Sequence, residues 1–136
     1  MPKKKPPSRK RVLIIEDDDD VAQVLQLLVR SLKAEALIAD DGITGVELAR
    51  TEKPDLVLVD IHLPGMNGLD VIRSLRETPA LGGVPVVVIT GNSTVEYVRE
   101  TARLGADDFL VKANVLRGDG IDRIRKYLDA PVKKKV

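Results

Sequence analysis

Short apolar runs alternate along this chain with segments whose apolar residues recur at helical spacing, and that alternation constrains the fold more than any other feature. Val12 to Ile15, Leu37 to Ala39, Leu56 to Val59, Pro85 to Thr90 and Phe109 to Val111 read as five strands. Val86-Val87-Val88-Ile89 lacks polar alternation, as expected for a strand covered on both faces. The second run is weak, as an edge strand would be, and is closed by Asp40-Asp41-Gly42. After the first strand, Val21, Val24, Leu25, Leu28, Val29 and Leu32 form one helical stripe that Asp19 or Asp20 can cap. Further helices carry Val46, Leu48 and Ala49, stopped by Pro54, and Leu69, Ile72 and Leu75 between Gly68 and Arg76. The fourth runs from about Ser93 to Leu104 with Gly105 as its stop, and the last, about Asp119 to Leu128, buries Ile121, Ile124 and Leu128. The pattern is α/β with a mainly parallel sheet.

At 136 residues the chain holds about one domain. Charge divides it. Met1 to Arg11 and Pro131 to Val136 hold nine of the 22 basic residues and none of the 21 acidic ones, so the body between them is acidic. The organisation read from this is a basic flexible tail over residues 1–10, a domain over 11–130 and a second basic tail over 131–136. Solvated ends are the leading reading, and contact with nucleic acid or an acidic partner is the minor one. No run approaches the roughly 20 apolar residues of a membrane helix, and Val12 to Ile15 is too short for a signal peptide, so the address is read as cytoplasmic. The absence of cysteine removes disulfides, zinc-thiolate sites and thiol catalysis.

Chemistry collects at strand ends. Asp60 follows Leu56 to Val59, the run Glu16 to Asp20 follows the first strand, and Lys112 follows Phe109 to Val111. In open α/β sheets the ligand crevice lies beyond the carboxyl ends of the strands, so these groups share one pocket. Carboxylates brought together repel unless a divalent cation joins them, and oxygen ligands with room for water suit magnesium, with manganese as an alternative. Such a site suits phosphate.

Four segments in order, Val12 to Asp18, Leu56 to Gly68, Val88 to Gly91 and Gly105 to Lys112, resemble the response-regulator receiver domain, and the resemblance covers Arg11 to Leu128. It implies a flavodoxin-like (βα)5 three-layer sandwich with strand order 2-1-3-4-5, an order the periodicity alone does not supply. It further implies that Asp60 accepts a phosphoryl group from a phosphohistidine of a sensor histidine kinase or histidine phosphotransfer protein. Asp17 and Asp60 would hold magnesium directly, Glu16 through a water, and His62 by its backbone carbonyl. Lys112 and the Thr90 hydroxyl would pair with the phosphoryl oxygens. Thr90 and Phe109 would form the switch, read by a downstream protein at the face of the fourth helix, fifth strand and fifth helix. The chain is expected to act as a two-component phosphorelay protein without an attached output domain. It is not expected to be an enzyme beyond phosphorylating and dephosphorylating itself.

Other readings stand beside this one. A phosphorylation-independent scaffold or adaptor would use the basic ends, and an aspartyl-phosphate hydrolase would want a carboxylate where His62 stands. The acidic run by itself also suits a helix N-terminus. The His62 side chain reads as pointing to solvent at the pocket rim, with Asn92 a second candidate for modulating phosphoryl lifetime. Ala113 departs from the family, where proline in a cis bond usually follows the lysine. A cis Lys112-Ala113 bond is therefore expected wherever the pocket is fully assembled, at a cost of about 2.5–4 kcal/mol.

Overall fold

The computed structural model describes residues 9–91 and 95–129. In chain order the elements are β1 (Arg11–Ile15), α1 (Asp19–Ser31), β2 (Glu35–Ala39), α2 (Gly42–Glu52), β3 (Leu56–Val59), α3 (Gly68–Glu77), β4 (Val86–Thr90), α4 (Val95–Arg103), β5 (Asp108–Val111) and α5 (Gly118–Asp129). A 3-10 turn covers Pro79–Leu81 and another Lys112–Asn114. All five strands pair in parallel in the order β2-β1-β3-β4-β5. Ile15 lies in register with both Ala39 and Val59, so the strand ends that carry the acids are level. Each crossover helix runs back along the sheet. The start of β1 and the end of α5 therefore both lie at the pole opposite those acids.

Two cores follow from the two-residue period of the central strands. Leu13, Ile15, Val57, Val59, Val86 and Val88 face α2 and α3, meeting Val46, Ala49, Val71, Ile72 and Leu75. Val12, Ile14, Leu56, Leu58, Val87 and Ile89 face the other way, onto Leu25, Leu28 and Val29 of α1 and Ile124 and Leu128 of α5. Every residue of β3 and β4 is buried, each large side chain contributing about 1.5–3 kcal/mol of transfer free energy. β2 is partly exposed at the sheet edge, which explains its weak pattern.

Details differ from the expectations. Asp18, not Asp19 or Asp20, caps α1: Asp20 N–H and Val21 N–H donate to its Oδ1 at 2.9 and 3.2 Å. Its neighbours already belong to the first helical turn. Val24 falls off the buried stripe, 36% exposed, because it lies at the open seam between α1 and Leu116 ahead of α5. α2 ends before Pro54 as expected, with Lys53 left-handed at φ 47°. Gly105 does stop α4, at φ 103°, where Arg76 Nε and one guanidinium nitrogen donate to its carbonyl. Ser93, residues 1–8 of the first basic tail and all of the second lie outside the described residues.

Candidate phosphoacceptor site

Asp60 leaves the end of β3 with its N–H donating to Ile15 O at 3.0 Å, which ties the turn to β1. Glu16, one residue past β1, donates its N–H to Ala39 O at 3.0 Å. These bonds extend the ladder by one residue and fix both acids at the sheet edge, 5% and 2% exposed. Asp17 is exposed beside them. Carboxylate oxygens of Glu16, Asp17 and Asp60 lie within 4.8 Å of one another. Lys112 Nζ meets this group, 3.0 Å from Glu16 Oε1 and 3.1 Å from Asp60 Oδ2. Its stem passes Gly91, where an added Cβ would lie 3.9 Å from Lys112 Cδ. Thr90 is fully buried at the end of β4, in register with Val111.

Two backbone N–H groups also meet the acids. His62 N–H donates to Asp60 Oδ1 at 3.2 Å, and Asp18 N–H donates to Glu16 Oε2 at 3.2 Å. The turn after Asp60 closes through Gly68, whose N–H donates to Ile61 O at 2.8 Å. A Cβ at Gly68 would stand 2.5 Å from both Asp60 O and Ile61 Cα, so only glycine lets α3 begin this close to the turn.

One ammonium does not balance three carboxylates. Two like charges 4–5 Å apart repel by about 3–4 kcal/mol at an effective dielectric constant of roughly 20. Burial accordingly raises the Glu16 carboxyl from 4.5 to about 7, helped by the charge of Asp60 and opposed by the hydrogen bond from Lys112. Lys112 is shifted upward in turn: its partial burial acts downward, and the hydrogen bonds to Glu16 and Asp60 outweigh it. A hard divalent cation fits this all-oxygen, acid-rich donor set.

The structure thus brings together Glu16, Asp17, Asp60 and Lys112, with Thr90 at the neighbouring strand end. The cis expectation is overturned. No peptide bond among the described residues is cis, yet Lys112 reaches both acids. The chain turns straight from β5 into the Lys112–Asn114 turn, closed by Val115 N–H to Lys112 O at 3.2 Å, and the long lysine stem supplies the reach. Phe109 is half-buried on β5 against the core on the α2 and α3 side. The His62 side chain is exposed, as expected, but it packs on Tyr97 of α4 with ring centroids 5.5 Å apart. Tyr97 was not singled out by the sequence, since one ring on a polar helix carries no motif. Asn92 lies outside the described residues.

With this fold and site in place, the chain belongs to the response regulator receiver domain family, whose model matches residues 12–123. It is 44% identical over 75 residues to the transcriptional regulatory protein CusR of Escherichia coli K12, a match covering 55% of this chain and 32% of that protein. The chain therefore matches about a third of the length of such curated relatives. The BeF3-activated receiver domain of Klebsiella pneumoniae RstA superposes with a TM-score of 0.81 at 27% identity, covering 89% of this chain and 100% of that one. The receiver domain of a sensor histidine kinase from Pseudomonas aeruginosa shares the fold at TM-score 0.80 and 24% identity, over 90% of this chain and 100% of that one. That crystal structure has magnesium coordinated in its active-site cleft. Among the described residues no helix is long and apolar enough to cross a membrane.

Proposed function

We propose that this receiver accepts a phosphoryl group on Asp60 from a phosphohistidine of a sensor kinase or phosphotransfer protein, and that the modified state is read at the surface of α4, β5 and α5. The observation that carries the reading is the buried Asp60 carboxylate with Lys112 Nζ at 3.1 Å and two further acids within 4.8 Å. In the transfer, an Asp60 oxygen bonds to phosphorus as the bond from phosphorus to the donor imidazole nitrogen breaks, and that electron pair returns to the ring. Lys112 exchanges its contact with Asp60 for a phosphoryl oxygen, and the Thr90 hydroxyl donates to another. Asp17, Asp60 and the His62 carbonyl would hold magnesium, or manganese in its place, with Glu16 acting through a water; the ion supplies neutralising charge to the transferring group. Thr90, drawn toward the phosphoryl group, would make room for the Phe109 ring beside β4 and pass the change to the docking face. A carboxylate held this way serves a transient covalent signal rather than turnover of a substrate.

The test is intact-mass measurement after incubation with magnesium and a small acyl phosphate. The wild-type chain is expected to gain one phosphoryl group and Asp60→Asn none. Equal gain in the variant would place the acceptor elsewhere.

A further inference from the structure

The His62 backbone belongs to the turn that holds Asp60, while its side chain stands exposed at the rim. An exposed ring on a turn normally samples several rotamers. Here it meets the Tyr97 ring at 90°, the edge-to-face arrangement that aromatic quadrupoles favour. Both rings line a 530 Å³ cleft that Asp17 also lines. Tyr97 is carried by a lightly seated helix: Thr101 is the buried residue of α4, while Val95 and Val98 are 66% and 39% exposed.

We propose that Tyr97 is a positioning residue that holds the His62 ring over this cleft and so slows hydrolysis of the aspartyl phosphate. The inference rests on phosphorylation of Asp60 as proposed above. In hydrolysis a water oxygen bonds to phosphorus as the bond from phosphorus to the Asp60 oxygen breaks. The electron pair returns to the carboxylate, the water proton passes to solvent, and orthophosphate leaves. The cleft meets the acid cluster at Asp17, and a ring held across it narrows the approach of water from that side. Because α4 carries Tyr97, a partner that draws the helix outward releases His62 and shortens the lifetime of the signal it has just read. The lifetime then reports the position of α4.

Wild type, Tyr97→Leu, Tyr97→Phe, His62→Ala and the double variant His62→Ala/Tyr97→Leu are loaded with acyl phosphate and magnesium. The donor is then removed and loss of the phosphoryl mass followed. Tyr97→Leu is expected to shorten the lifetime by roughly two- to tenfold, the range an edge-on ring contact supports. Tyr97→Phe, which keeps the ring, is expected to restore it, and Tyr97→Leu should add nothing once His62 is alanine. An unchanged lifetime in Tyr97→Leu, a Tyr97→Phe protein as short-lived as Tyr97→Leu, or equal shortening with and without His62 would overturn the inference and leave Asp60 phosphorylation standing. A wild-type chain that takes up no phosphoryl group would overturn the reading of Asp60, and this inference with it.

Discussion

Glu16 shows how strongly folding alters one carboxyl. It is 2% exposed, beside Asp60, and burial raises it from 4.5 to about 7. Below about pH 4.5 it is protonated in both folded and unfolded chains, and its contribution to stability is intact. As pH rises toward 7 the unfolded chain has already released this proton while the folded one still holds it, so stability falls with pH until the folded carboxyl also ionises. With metal chelated, the wild type is expected to lose on the order of 2–3 kcal/mol relative to Glu16→Gln between about pH 5 and pH 8. Urea denaturation at several pH values measures the difference. A pH-independent gap between the two proteins would show that Glu16 ionises as an ordinary surface acid.

The turn from β3 into α3 decides whether Asp60 is presented correctly. Gly68 has backbone, not a flexible side chain, 2.5 Å from where a Cβ would go. Gly68→Ala is therefore expected to cost about 1–3 kcal/mol and to slow phosphorylation, because either α3 or the Asp60 turn must retreat. A variant with wild-type urea midpoint and phosphorylation rate would contradict that account. Legibility from sequence differs along the same elements. β3 and β4 were readable because strands buried on both faces need unbroken apolar runs, and the acids at strand ends followed from the crevice rule. The strand order came from family resemblance, since periodicity carries no neighbour information. Four consecutive aspartates, Asp17 to Asp20, offer the same capping chemistry, so only the backbone geometry picks out Asp18. Lys112 reaches both acids without a cis bond because its four-carbon stem performs the task that the sequence reading assigns to a loop. The His62 and Tyr97 contact joins residues 35 apart on different elements, beyond the range of any local pattern.

For the molecule as a whole, the acid cluster stores repulsion that a bound cation would relieve, so metal binding would be coupled to folding. Magnesium at about 100 times its dissociation constant is expected to stabilise the wild type by roughly 2.7 kcal/mol. Asp17→Asn should weaken magnesium affinity more than Glu16→Gln, since a direct ligand contributes more than one acting through water. Magnesium titration followed by thermal unfolding checks both, and equal affinities in the two variants would refute the ranking. The parallel order has a further consequence. With the start of β1 and the end of α5 at the pole opposite the acids, another protein can be joined at either of these points without covering the acid cluster. The domain is built like a plug wired from behind, with β1 entered and α5 left on the side away from its contacts.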